Sequence, residues 1–404
     1  MTADPRFFLS FLVLCCCMLF FPPRQAVGDE TECWTRYLGG PGSIITDLLS
    51  SRQGIWATGR MTEDGSTPDL WIALFDENGQ IRWQLRLPAK GYQLYPRLVA
   101  DQESVRVIAE ILSPSVPVAG GGSLPASQVW VGTVTREGRF AGQHTFAPHR
   151  VTTVQAVAAL PDGGVLLAGL AEETGLDTSS KGWLARLDRD GQLAWQQLLP
   201  QVSWLTSLSE IDVEQWLIAG TVHEKEENSP RPWLAAVDRT GSILKSWEPE
   251  IADFSLSDAL ATPGHLWLAG EGTMPQTGAR LFLVDRQGTK VADYPVAGLS
   301  VLRMLSDSPD GPLAGGDGIG DRQPTEQESA PGWFHLPQVR MKDASSILKS
   351  LKSPVIHRWR DVPFSEVHAL TIYPAEQLRS RQPLLIGAGA HPDRGAWIGC
   401  NKIE

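Results

Sequence analysis

Seven residues spaced through the chain, Asp47, Arg97, Ala156, Ser207, Asp258, Arg303 and His368, carry its most suggestive chemistry. Six of them are polar. Each falls at the equivalent point of a recurring unit, twelve or thirteen residues before a recurring glycine where no insert intervenes. On one ring, the carboxylates of Asp258 or Asp47 beside the His368 imidazole would suit acid/base work. The same ring would also suit a small polar ligand. The plainer account is a water-filled channel lined by charges that neutralise one another. All three readings stay open on sequence.

Little else points to catalysis. The chain has no phosphate-binding glycine loop, no G-x-S-x-G, no H-E-x-x-H and no Cys-x-x-Cys. Its eight histidines, at 144, 149, 223, 265, 335, 357, 368 and 391, show no metal-like short spacing. Aspartates recur in turns but never in the dense D-x-D-x-D-G order of a calcium loop, so turn capping accounts for them. The sequence calls for no cofactor and no metal.

The elements that would position the ring come from a repeat. Fifteen tryptophans against five tyrosines suggest one recurring structural position. The segment GGVLLAGLAEETGLDTSSKGWLARLDRDGQLAWQ, from residue 163, shows a β-rich run ending in Ala-Gly, a variable loop, and a second run opening with Trp. That run ends in Asp-x-x-Gly, and a third closes with Trp. The unit recurs from Ile55 and again in QWLIAGTVHEKEENSPRPWLAAVDRTGSILKSW. Short strands repeating about every fifty residues indicate a propeller rather than a helical array.

Two markers give the blade count. The glycine ending the second strand falls at Gly59, Gly169, Gly220, Gly270, Gly315 and Gly387, with Glu110 in the blade that lacks it. The tryptophan opening the third strand falls at Trp71, Trp130, Trp183, Trp233, Trp333 and Trp397, with Arg280 as the exception. The expected fold is therefore all-β, a seven-bladed β-propeller over residues 29–404, with inserts near 319–331, 338–353 (in blade six) and 374–382. In Asp76-Glu77-Asn78-Gly79 the Asp caps a type I turn and the Gly takes the left-handed conformation, a three-residue hairpin loop with a G1 bulge.

The segment TECWTRYLGG, from residue 31, resembles a fourth strand, and the closing GAWIGCNKIE resembles a third. The N-terminal strand should therefore complete the last blade and remove an exposed edge. Counted from the blade tryptophan, Cys400 stands at +3 and Cys33 at +11. In a hairpin whose loop is flanked by +5 and +9, paired positions sum to +14, so the two cysteines should face each other directly. A disulfide is expected, worth roughly 4–5 kcal/mol in the chain-entropy model.

Residues 1–28 read as a signal peptide: Arg6, an apolar run from Phe7 to Phe21, then Ala26-Val27-Gly28 before cleavage at Asp29. A retained anchor or a lipidated Cys15, Cys16 or Cys17 are the alternatives, and bulky Leu14 disfavours lipidation. A net charge of −11 argues against nucleic acid and against anionic membrane surfaces. The segment RMKDASSILKSLK (340–352) is basic and helix-compatible, and suits either packing on its own blade or docking a partner.

The unit TRYLGGPGSIITDLLSSRQGIWATGR followed by DLWIALFDENGQIRW resembles the SBBP-type seven-bladed propeller repeat of bacterial exported proteins. It is more distantly similar to quinoprotein-type repeats, in which a D-x-x-G-x-x-W segment docks between blades. The resemblance implies a propeller and export, not one activity; no pyrroloquinoline-quinone ligand cluster is apparent. The expectation is an exported, periplasmic or secreted, monomeric binding or scaffold protein, acting on an unknown protein or small polar ligand. Membrane contact would follow only from a retained or lipidated N-terminus. The alternative is a hydrolase or lyase acting on a sugar or lactone at the channel mouth.

Overall fold

A computed structural model describes residues 33–63, 68–88, 91–101, 104–117, 123–172, 180–223, 229–273, 277–307, 312–318, 331–336, 357–359, 366–373 and 383–402. Residues 1–28, expected from sequence to be a signal peptide, and the basic segment 340–352 lie outside the described residues. The described residues hold seven antiparallel four-stranded sheets and no helix. The first strand of each sheet touches the first strands of both neighbours, and the circuit closes from blade seven back to blade one. These seven strands line the axis of a seven-bladed propeller, as the repeat predicts.

Thr35–Leu38 is the outermost strand of blade seven, paired antiparallel with Gly395–Lys402. The expected closure is therefore present. One detail differs: the register sets Trp34, not Cys33, against Cys400, whose N–H donates to Trp34 O at 2.9 Å. The reason is visible in blade three, where Leu187 faces Leu193 but Arg186 faces Trp195. A β-bulge follows the first pair of the hairpin, so the paired positions sum to +15 beyond it. Cys33 occupies the bulge, and two residues oppose one there. Both sulfurs are thiols in the structure, not a disulfide. They are neighbours all the same: the Cys33 sulfur and burial push the Cys400 thiol far above its ordinary range.

The marker tryptophans build the layers between blades. Trp130, Trp183, Trp333 and Trp397 are wholly buried, and Trp71 and Trp233 nearly so. Burying an indole requires an acceptor for its N–H. Trp71, Trp130 and Trp183 each find a glutamine thirteen residues on, Gln84, Gln143 and Gln196, at 3.0 Å. Blade five has Arg280 in this place, lying over Phe282 at 4.9 Å and ion-paired to Asp293.

Fourth-strand tryptophans dock on the Asp-x-x-Gly turn of the next blade. Trp34 N–H donates to Glu77 O, and Trp247 N–H to Arg286 O, each at 3.0 Å. Asp76 Oδ1 accepts from Asn78 N and Gln80 N, which is the expected capping. Gly79 has two roles here. It takes φ +71°, and a Cβ on it would lie 2.3 Å from the Trp34 ring.

One marker glycine needs correction, and another shares its role with its neighbour. A Cβ on Gly59 would lie 1.9 Å from Ile44 O, so the second strand passes the first too closely for a side chain. The same approach is made in blade six by Gly316, while Gly315 keeps the marker's pairing with Trp333, and in blade seven by Gly389, not Gly387. Gly389 is also the partner of Trp397. In blade two, Glu110 faces Leu94 as expected, but Trp130 faces Ala109.

Glu110 is 5% exposed beside the Ser127 hydroxyl, and burial raises its pKa from 4.5 to about 7. The folded value lies above the unfolded one, so the native state holds the proton more tightly. Stability from this group is complete below about pH 4.5 and is lost as pH rises through about 7. A Glu110→Gln variant should flatten that decline and unfold at higher denaturant above pH 7, by at most about 3 kcal/mol. Denaturant midpoints measured from pH 4.5 to 8 check it; a variant no more stable than wild type at pH 8 would count against the burial argument.

Candidate functional site

All seven sequence-predicted ring residues line one cavity of about 630 Å³ at a mouth of the axial channel. What places them there is a feature that residue patterns do not reveal. Each innermost strand carries a β-bulge at this depth: Thr46 in blade one, Gln155 in blade three, Thr206 in blade four, Ser257 in blade five, Arg303 in blade six and His368 in blade seven. Blade two has a two-residue version, Tyr95-Pro96. Bulges of this kind bend a strand and re-aim its side chains.

The bulges also correct the ring. Asp47, Arg97, Ala156, Ser207 and Asp258 are equivalent, each the first paired residue after its bulge. Arg303 and His368 are the bulged residues themselves, so the true counterparts of Asp47 in blades six and seven are Met304 and Ala369. Spacing alone placed these two one residue off, and the cavity still includes both.

The carboxylates are turned toward backbone. Asp47 Oδ1 accepts from Leu48 N at 2.9 Å, and Oδ2 from Leu98 N of blade two at 2.7 Å. Asp258 Oδ1 accepts from Ser207 Oγ of blade four at 2.6 Å and from Ala259 N at 2.8 Å. Its Oδ2 takes Leu305 N of blade six at 2.8 Å. Asp317 does the same between blades six and seven, through Val367 N at 2.9 Å. Asp47 and Asp258 join the innermost strands of different blades, and Asp317 joins the second strand of blade six to the innermost strand of blade seven. Burial raises the pKa of all three, opposed by those same N–H donors, by the Ser207 hydroxyl at Asp258, and by Arg97 or Arg303.

The basic groups sit differently. Arg97 donates through Nη1 to Thr46 O at 3.2 Å, while its Nε is buried with no protein partner among the described residues. Its charge acts on Asp47 and also on Asp258 of blade five. Arg303 holds Asp317 Oδ2 through Nε and Nη2, both at 2.9 Å, and is 40% exposed. His368 Nε2 bonds Glu366 Oε2 at 3.0 Å and depresses its pKa. The imidazole therefore pairs with Glu366 rather than with Asp47 or Asp258.

Sequence reasoning missed Tyr95. It takes φ +39°, unusual for an aromatic residue, and stands 43% exposed at the cavity edge. The dipeptide Tyr95-Pro96 was its only signal, because a proline constrains the residue before it. Gln155, Thr206 and Ser257 were missed because a bulge leaves no mark in residue type. Among the described residues no cluster of three or more His, Cys, Asp or Glu side chains has metal-holding geometry, and no helix is long and apolar enough to cross a membrane.

Bladed architecture with a polar axial cavity defines this chain as a seven-bladed β-propeller. No protein-family model and no curated protein matches it. Among solved structures it is similar to the WD40 domain of Neurospora crassa Pan2, at 11% identity over 93% of this chain and 98% of that one, TM-score 0.50. It is also similar to Kuenenia stuttgartiensis hydrazine synthase, at 9% identity over 91% and 97%, TM-score 0.55. Likeness at such identity establishes the fold alone.

Proposed function

We propose that this protein is a binding propeller whose channel mouth holds a small polar ligand without transforming it. The observation that carries the reading is the direction of the carboxylates: Asp47 and Asp258 accept backbone N–H groups of neighbouring strands, and His368 is engaged by Glu366. A general acid or base must reach the proton it moves, and these groups are committed elsewhere. The remaining polar side chains face a cavity of small-molecule size. Export to the cell envelope or extracellular space, and descent from the SBBP-type or quinoprotein-like repeat, belong to the same proposal. The apolar Phe7–Phe21 run and the Asp-x-x-Gly docking of Trp34 and Trp247 support them.

Thermal unfolding of the mature protein against a panel of polar metabolites and sugars tests the reading. A ligand at a hundred times its Kd should add about 2.7 kcal/mol of stability, and Thr206→Val at the mouth should weaken that gain. NMR of the ligand should show it unchanged after prolonged incubation. Turnover of a sugar or lactone, abolished by Asp258→Asn, would overturn the proposal in favour of a hydrolase or lyase.

A further inference from the structure

We infer that the ligand of the channel mouth carries a carboxylate, gripped by the guanidinium groups of Arg97 and Arg303. This rests on the proposed binding reading and adds its chemistry.

The hydrogen-bonding groups at the mouth divide into engaged and open ones. The acceptors are largely engaged. Asp47 and Asp258 take three backbone or hydroxyl donors across blade boundaries, Leu98 N, Ser207 Oγ and Leu305 N, in addition to Leu48 N and Ala259 N of their own strands, and Glu366 takes His368. The donors are not. Arg97 Nε has no protein partner although it is buried, and the buried Thr206 hydroxyl has none either. Arg303 binds Asp317 through only one side of its fork, Nε and Nη2, and its side chain is 40% exposed. A pocket whose acceptors are engaged and whose donors are open complements a ligand rich in acceptors.

Two guanidinium groups narrow the choice further. Each is permanently charged and planar, and each offers parallel N–H groups that match a carboxylate. They come from blades two and six, and Arg97 extends far enough for its charge to act on Asp258 of blade five. Both are tethered, Arg97 by Thr46 O and Arg303 by Asp317, so little side-chain freedom is lost on binding. Tyr95 stands beside Arg97, projecting from its strained bulge. Its ring can cover the non-polar part of the ligand while the carboxylate faces inward.

The charges facing this position are Asp47, Asp258, Asp317 and Glu366 against Arg97, Arg303 and His368. Burial holds the three aspartates above their ordinary range. Lowering the pH therefore removes negative charge from the wall while the guanidiniums stay charged, and carboxylate affinity should rise.

Acetate is the minimal probe. In spectra of the full mature protein that resolve arginine Nε–Hε signals, acetate titrated at constant ionic strength should shift Arg97 and Arg303 saturably. Affinity should rise as the pH is lowered and the wall aspartates take up protons. Glycerol and methylammonium at equal concentration should leave both signals unmoved. Arg303→Gln should cut acetate affinity roughly tenfold. Arg97→Gln should do the same, and Arg303→Gln carries the test alone if loss of the Thr46 contact prevents the other from folding. Linear, unsaturated shifts would mean an adventitious ion only and overturn the inference, as would saturation by methylammonium. Saturation by glycerol with acetate silent would overturn the carboxylate while leaving the binding reading intact.

Discussion

Purified under oxidising conditions and freed of residues 1–28, the protein should titrate with no free thiol, and reduction should cost it roughly 4 kcal/mol of stability. We propose that Cys33 and Cys400 form a disulfide in the exported protein. Cys400 Sγ accepts from Trp34 N at 3.0 Å, and the Cys33 sulfur lies close enough to shift the Cys400 thiol. The bulge that puts Cys33 out of direct register also turns it toward the same partner as Trp34, so the offset of one residue leaves the sulfurs adjacent. A bond here would close nearly the whole chain into a loop, the arrangement in which cross-linking restricts the unfolded ensemble most. Trp34 still docks on the Glu77–Gly79 turn of blade one. Reduction should therefore let the terminal strand fray rather than melt the propeller at rest. A Cys33→Ser variant should keep its far-ultraviolet spectrum and unfold at lower denaturant. Two titratable thiols in the folded, oxidatively purified protein would refute the proposal.

Asp258→Ala should be nearly as damaging, lowering stability by roughly 3–5 kcal/mol. The carboxylate accepts Ser207 Oγ, Ala259 N and Leu305 N, from three consecutive blades. Truncation leaves those donors facing one another in a partly buried wall, each with a desolvation cost of about 1–3 kcal/mol. Catalytic groups behave in the opposite way, because active sites are commonly strained and their replacement often stabilises. Equilibrium urea unfolding of Asp258→Ala beside Asp47→Ala separates the two roles. Asp47 spans only blades one and two, so its loss should cost less. An Asp258→Ala protein as stable as wild type would show that the carboxylate does not join the blades.

The fold was legible because its signals are local and repeated. Buried tryptophans with a glutamine thirteen residues later, Asp-x-x-Gly turns and strands ending in glycine recur because each blade solves the same packing problem. Three of the errors share one cause. A β-bulge adds a residue without a characteristic side chain, so counting along the chain missed the offset at Cys33, at Arg303 and at His368. The glycine of blade seven was misread because Gly387-x-Gly389 offers two candidates, and in blade six Gly315 and Gly316 divide the role. Only the carbonyl of the neighbouring strand decides which must lack a Cβ. The site was half legible. Which polar residues reach the axis followed from the repeat, but which of them are engaged depends on contacts between blades. Asp258, for example, lies 47 residues from Leu305, whose N–H it accepts.

The central claim is that the mouth binds a ligand and leaves it unchanged. The most direct measurement is a crystal structure of the mature protein with whatever accompanies it through purification. The account predicts ordered, intact ligand density between Arg97 and Arg303, with Asp47 and Asp258 still bonded to Leu98 N and Leu305 N. A bound water held jointly by His368 and an aspartate released from its backbone partner, or a cleaved product in the cavity, would contradict it.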